Sequence, residues 1–485
     1  MNGVLPTLLG ATARLEDGQR SRGREALLSG AQRLATLLRA QGTRVLATLL
    51  DNGLPWLLAD LAAAEAGLVH VPLPLFFSPA QVQHALAAAG VDSLLLPPAL
   101  TSRFPQLTAQ ALTLDGQDLA LLRLPARPPA LPAGTAKITF TSGTTGAPKG
   151  VCLGNEGMRR VTAGLVQALE PLAVSRHLCA LPLAVLLENI AGLMAPLLRG
   201  ATCIAPPLAE LGLSGSSSFD AQRFDAALRQ HRPGSLILLP QMLRAWVAHL
   251  QQSGRRAPED LKLVAVGGAA VGAKLLLQAR ALGIPAYEGY GLSEGASVQT
   301  LNLPWADRPG SAGRALPHAE LRVAPDGEIE VRGSLFLGYL GEVADASDWW
   351  PSGDLGHLDE AGFLHVSGRK KHVLITAFGR NVAPEWVETA LRGEPAIGQA
   401  VVYGEGMSAL CAVLWPSRLD LDNAALQAAV DAANAGLPDY ARVRLWLRAR
   451  AAFSPETGLA TANGRPLRDA IWRAHEAALA SPLTH

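Results

Sequence analysis

Short apolar runs alternate with segments of helical periodicity through the first hundred residues, and few architectures satisfy that order. Gly23 to Gly42 sets Leu27, Leu28, Leu34, Leu37 and Leu38 at helical spacing; Arg44 to Leu50 follows as a strand-like run closed by Asp51-Asn52-Gly53. Pro55 to Gly67 returns to helix, Leu68 to Leu73 to strand, Ser78 to Gly90 to a serine-capped helix and Val91 to Leu96 to strand. Strands separated by helices predict an α/β domain on a largely parallel sheet. A proline-rich linker at Leu122 to Leu131 precedes a second such run: helix Phe224–Arg229, strand Ser235–Leu239, helix Gln241–Gln252, strand Leu261–Val266 and helix Val271–Leu282. From Gly310 the period changes to two, as in Gly327–Gly333 and Phe363–Val366, with turn signals at Asp326-Gly327 and Asp359 to Gly362. At 485 residues the chain exceeds one simple core. We place a boundary near Gly368-Arg369-Lys370-Lys371, giving a large domain over 1–369 and a small α+β domain over 370–485.

Between the two α/β runs lies Thr139-Phe140-Thr141-Ser142-Gly143-Thr144-Thr145-Gly146-Ala147-Pro148-Lys149-Gly150. Consecutive backbone N–H groups at glycines form an anion nest, the hydroxyls add donors, and Lys149 supplies a mobile positive charge. The run suits phosphate; a flexible surface turn is the alternative. It is not a Walker A loop, because Lys149 is followed by Gly150 and Val151.

Composition narrows the partners. The net charge is +1 and no basic stripe occurs, which weighs against nucleic acid. Cys152, Cys179, Cys203 and Cys411 show no paired metal spacing and no disulfide framework, as suits a reducing cytosol. Met1 to Leu15 does not read as a signal peptide. Leu178 to Leu198 is strongly apolar, but Pro182, Glu188-Asn189 and Pro196 interrupt it, so a buried helix is expected rather than a membrane span.

Five ordered segments carry a resemblance: Thr141 to Gly150, Tyr290-Gly291-Leu292-Ser293-Glu294, Ser352-Gly353-Asp354, Gly368-Arg369-Lys370-Lys371 and Asn463-Gly464-Arg465. Together they resemble the adenylate-forming superfamily of acyl-CoA synthetases, nonribosomal-peptide adenylation domains and beetle luciferases. The resemblance implies an α/β fold: a large N-terminal domain of layered, largely parallel sheets with a small β-rich subdomain, then a small mobile α+β lid. It implies activation of a carboxylate by ATP with release of pyrophosphate, then transfer to a thiol. By the same resemblance Thr141, Ser142, Gly143, Thr144, Thr145, Gly146 and Lys149 hold the β- and γ-phosphates, and Glu294 coordinates magnesium. Tyr290 packs on adenine, with Gly291 beside it, and Ser293 stands where threonine is usual. Gly267, Gly268 and Ala269 border adenine and the acyl pocket, Asp354 and Arg369 meet the ribose, and Lys371 is the hinge.

One position departs. Arg465 stands where the family places a catalytic lysine. Arginine keeps the charge but is planar and larger. Three outcomes are open: Arg465 serves, adenylation is slow, or the chain binds nucleotide or acyl-adenylate without efficient turnover. Ile375 to Glu388 resembles long-chain acyl-CoA synthetases most, so a hydrophobic, fatty acid is expected, with Leu181 to Leu198 helping to line its site. In that reading Glu188 and Asn189 lie near the mouth; in the other they sit on the outside of a core helix. Coenzyme A is the expected acceptor and a separate acyl carrier protein the alternative. A cytoplasmic monomer or homodimer is expected, with peripheral membrane contact left open.

Overall fold

The computed structural model describes residues 7–126, 129–141, 148–215, 218–342, 347–377, 380–461 and 464–480. The expected α/β order is present. Val45–Thr48 pairs in parallel with Val69–Pro72 on one side and Ser93–Leu96 on the other, and Val69–Pro72 continues in parallel to Thr135–Thr141. Antiparallel neighbours extend this to an eight-stranded sheet. A second, nine-stranded sheet has a parallel centre in which Thr202–Ile204, Arg176–Leu178, Ser235–Leu238, Leu263–Val266 and Ala286–Leu292 are successive neighbours. The central strands are buried on both faces, which explains why their sequences read as continuous apolar runs.

Helices Arg24–Ala40 and Leu54–Ala66 lie between the sheets. One core cluster joins Leu46 and Leu95 of the first sheet to Leu15 and Cys203 of the second through Leu27, Leu34, Trp56 and Leu57. Ser78 closes a capping box with Gln81 at the start of Pro79–Ala88, as its sequence signalled. Asp220 caps Ala221–His231 by accepting from Gln222 and Arg223 N–H.

The period-two stretch forms an antiparallel four-stranded sheet of Glu320–Val323, Glu328–Arg332, Trp350–Leu358 and Leu364–Arg369. A C-terminal α+β domain follows, with a sheet of Ile397–Tyr403, Leu410–Pro416 and Val443–Arg448 and helices Pro384–Arg392, Asn423–Ala435 and Arg468–Ala480.

Two expectations change. The proline-rich linker begins later, because Gln117–Arg123 is an edge-side strand. The apolar segment is not a regular helix with an outward polar pair. It holds a π-helical turn, Glu188–Met194, running into Ala195–Arg199, and Glu188 and Asn189 are 0% and 1% exposed, so they lie neither at a mouth nor on the outside. No helix among the described residues is long and apolar enough to cross a membrane.

Asn189 reaches a buried charged cluster. Lys137 Nζ lies 2.8 Å from Asp60 Oδ1, His70 Nδ1 lies 2.6 Å from the same oxygen, and Asn189 Nδ2 donates to Asp60 Oδ2 at 3.3 Å. Lys137 also donates to the Asn189 side-chain oxygen. Thr48 Oγ1 meets His70 Nε2 at 2.9 Å, completing the set.

Candidate active site

The second sheet's parallel strands end at a cavity of about 1780 Å³. Crevices outside the carboxyl ends of parallel strands are where such sheets bind ligands. Gly267, Gly268 and Ala269 leave strand Leu263–Val266 there. Gly268 has φ +85°, and an added Cβ would stand 3.0 Å from Leu239 Cδ2, so the turn is built for glycine.

Tyr290 and Gly291 lie at a bulge where Ala286–Leu292 pairs with Ser297–Leu301. A Cβ at Gly291 would sit 2.3 Å from the Ser297 carbonyl oxygen. Ser293 and Glu294 follow on a 3₁₀ turn. Tyr290 Oη donates to Asp354 Oδ2 at 2.7 Å, and Arg369 Nε lies 2.8 Å from Asp354 Oδ1. Asp354 and Arg369 are cross-strand partners, which explains how two residues fifteen apart form one polar edge. Burial pushes the Asp354 carboxyl up while Arg369 pulls it down; burial and the Asp354 charge drive the Tyr290 hydroxyl well above its ordinary value.

Lys149 opens the strand Lys149–Gly154, opposite Thr141 in the hairpin ladder. Ser142, Gly143, Thr144, Thr145 and Gly146, assigned to phosphate by resemblance, lie outside the described residues. Lys149 Nζ stands 3.6 Å from Glu342 Oε1 and 4.9 Å from the Tyr339 ring centroid. Tyr339 Oη donates to Glu294 Oε1 at 2.6 Å. The sequence reading missed Tyr339; its only local signal is an aromatic between Gly338 and Leu340-Gly341.

From the C-terminal domain, Arg465 and Lys371 line the same cavity. Arg465 leaves a tight turn: its N–H donates to Thr461 Oγ1 at 3.1 Å, and its carbonyl accepts from Thr461 N–H at 2.8 Å. The residue as a whole is exposed at the edge of the cleft. Desolvation in the cleft and the Arg369 charge lower its pKa, while Asp354 and Glu294 raise it. Lys371 is held below its usual value by desolvation, then by Arg369, Arg465 and Lys149. Lys149, Arg369, Lys371 and Arg465 therefore gather positive charge around one space that also holds Asp354 and Glu294, an arrangement able to take up a polyanion. The two sides also meet at Lys274–Glu394, 2.8 Å, and where Arg244 donates to the Arg392 carbonyl. Thr141, Lys149, Gly267, Gly268, Ala269, Tyr290, Gly291, Ser293, Glu294, Asp354, Arg369, Lys371 and Arg465 all face this cavity.

Comparison with known proteins matches both parts of the chain. Residues 11–340 match the model of the AMP-binding enzyme family, and residues 371–480 match the AMP-binding enzyme C-terminal domain. A long-chain-fatty-acid–CoA ligase, FadD15 of Mycobacterium bovis, is 43% identical over 145 residues; the match covers 29% of this chain and 24% of that ligase's length. Indoleacetate–CoA ligase of Aromatoleum aromaticum is 29% identical over 415 residues, 77% of this chain and 78% of that one. The crystal structure of the anthranilate CoA ligase AuaEII with anthranoyl-AMP superposes with TM-score 0.81 at 18% identity, covering 99% of this chain and 98% of that one. These relatives are named for aryl as well as fatty acids and do not single out the long-chain synthetases. The chain belongs to the AMP-binding enzyme family.

Proposed function

We propose that this protein activates a hydrophobic carboxylic acid with ATP, forming an acyl-adenylate and pyrophosphate, and then transfers the acyl group to the thiol of coenzyme A. The observation that carries this reading is one cavity that joins a polycationic, ribose-ready end to an apolar wall. Leu165, Leu169, Leu187, Ala191, Ile237 and Leu263 line that wall. In the first half-reaction a carboxylate oxygen attacks the α-phosphorus and the bond to pyrophosphate breaks. In the second, the thiol sulfur attacks the acyl carbon, losing its proton, and AMP leaves.

Asp354 accepts from the ribose hydroxyls, with Tyr290 and Arg369 fixing its two oxygens. Tyr290 also borders adenine, with Gly267, Gly268 and Ala269. Lys149 neutralises the departing pyrophosphate, and Arg465 bridges carboxylate and α-phosphate with its planar fork. Glu294 offers the hard oxygen donor that suits Mg²⁺, which supplies charge neutralisation on the phosphates when bound. The domain boundary lies at 369/370, and Lys371, on the 3₁₀ turn Lys370–His372, serves as the hinge between the two half-reactions.

Arg465 in place of lysine favours a second reading, a protein that holds nucleotide or acyl-adenylate with weak turnover. Pyrophosphate release across aliphatic and aryl acids, with Mg²⁺ and coenzyme A, separates the two. Release with one acid class and loss in Lys149→Ala is expected. Tight ligand binding with no release for any acid, restored by Arg465→Lys, would establish the second reading. A separate acyl carrier protein in place of coenzyme A tests the acceptor.

A further inference from the structure

The π-helical turn Glu188–Met194 touches two buried polar clusters, and they differ in one respect. Around Asn189, the Lys137–Asp60–His70 set has a hydrogen-bond partner for each buried side-chain atom. Around Glu188 it does not. Glu188 Oε1 and His177 Nε2 face each other at 3.5 Å, are shielded from water, and have no hydrogen-bond partner. Glu188 and His177 are 0% and 4% exposed. Orphaned buried polar atoms are costly, and a facing pair of them wants a third party.

We propose that His177, Cys179 and Glu188 form a buried structural site for a single divalent transition-metal ion, zinc by preference. One donor atom from each lies within 4.8 Å of the others. Tetrahedral zinc with bond lengths near 2.0–2.3 Å sets its ligands about 3.3–3.7 Å apart, so the His177–Glu188 separation already fits and the thiol needs only a small shift. A metal on Nε2 requires the tautomer in which His177 Nδ1 donates, and Ser235 Oγ, 2.7 Å from Nδ1, is placed to accept, as the outer hydrogen-bond partner of a metal-bound histidine does. The charges balance: one thiolate and one carboxylate cancel a divalent cation, so the loaded site is neutral within an apolar core. On binding, the Cys179 thiol releases its proton and gives up its hydrogen bond to the Gly192 carbonyl, 3.5 Å away. Cys203 lies beside Cys179, its thiol donating to the Leu193 carbonyl at 3.6 Å, and is not one of the three donors.

The backbone is shaped around this space. A Cβ on Gly192 would fall 2.1 Å from Glu188 Oε1 and 3.0 Å from His177 Nε2, so glycine is what lets the carboxylate and the imidazole come together here. The π turn is itself a poor hydrogen-bonding arrangement, tolerated mostly where it serves a site.

The test uses the full chain expressed with added zinc, dialysed against EDTA and then excess magnesium, with metal measured by plasma mass spectrometry. About one zinc per chain is expected, lost in Cys179→Ser and His177→Gln. Should either variant fail to fold, wild-type protein refolded with cobalt decides: a thiolate-to-cobalt charge-transfer band and a tetrahedral visible spectrum are expected. Zinc below a tenth of an equivalent, with no such band, would overturn the proposal and leave Glu188 and His177 as a pair sharing one proton.

Discussion

Replacing Lys137 by methionine tests whether the buried cluster acts as one electrostatic unit. The ammonium and the Asp60 carboxylate are 6% and 8% exposed at the side chain, and their separation is 2.8 Å. Methionine preserves the bulk beside Trp56, whose ring centroid lies 5.9 Å from Lys137 Nζ, but strands Asp60. Breaking a buried pair costs about 3–5 kcal/mol. His70 and Asn189 still donate to Asp60, so the lower end, about 3 kcal/mol, is expected. At a slope of about 3 kcal/mol per molar urea that lowers the denaturation midpoint by roughly 1 M. The pH dependence carries the sharper information. In the wild type, burial and the Lys137 charge hold the His70 pKa below its usual value despite Asp60. The unfolded chain then binds a proton that the folded chain refuses, and His70 costs the wild type stability as pH falls through about 6.5. Without Lys137 the imidazole becomes the only cation available to Asp60, and the folded chain takes up that proton more readily. The variant's deficit should therefore shrink between about pH 8 and pH 5.5, read from urea midpoints by circular dichroism. An unchanged midpoint, or a deficit that widens on acidification, refutes the coupling.

Tyr290→Phe removes the hydrogen bond to Asp354 and is expected to raise the KM for ATP about fivefold, near 1 kcal/mol, with kcat little changed. Steady-state kinetics at saturating acid would show an equal fall in kcat if Tyr290 acted in the chemical step instead. Burial pushes the Glu288 carboxyl up to about 7, where it accepts from Val271 N–H at 3.0 Å. A raised carboxyl pKa means stability is lost as pH rises from its unfolded value through its folded one, so Glu288→Gln should gain in melting midpoint over the wild type progressively across that range; a pH-independent difference counts against it. Gly192→Ala forces Glu188 and His177 apart and is expected to cost about 1–3 kcal/mol, measured by urea denaturation; a neutral result means the turn yields more easily than its contacts imply.

The alternation of helix and strand was readable because fully buried parallel strands leave unbroken apolar runs, and Ser78 and Gly90 punctuate a helix by backbone chemistry that acts locally. The site was readable for a different reason. Its residues lie on short turns and strand ends whose residue types are constrained by the ligand, so Tyr290, Glu294, Asp354, Arg369 and Arg465 could be picked out before their convergence was visible. Tyr339 could not, because its contact with Glu294 joins positions 45 apart through tertiary packing alone. Glu188 and Asn189 were misplaced for a geometric reason. Helical periodicity assumes 3.6 residues per turn, and a π turn breaks that phase, so an apolar run with two polar residues gives no sign that both point inward.

That phase break bears on sequence drift in this chain. A π turn accommodates one more residue than an α-helical path of the same span, so deleting one residue between Glu188 and Met194 would restore α register without lengthening any loop. The residues on either side would keep their facing, because the wider turn is what absorbs the extra residue; only the turn itself is rebuilt. Glu188 and Asn189, aimed at His177 and Asp60 from adjacent positions, lie within that turn, so its rebuilding reaches both clusters at once. Length at this turn is thus a single coordinate to which both clusters are tied, and a one-codon loss here would cost more than most substitutions in the same helix.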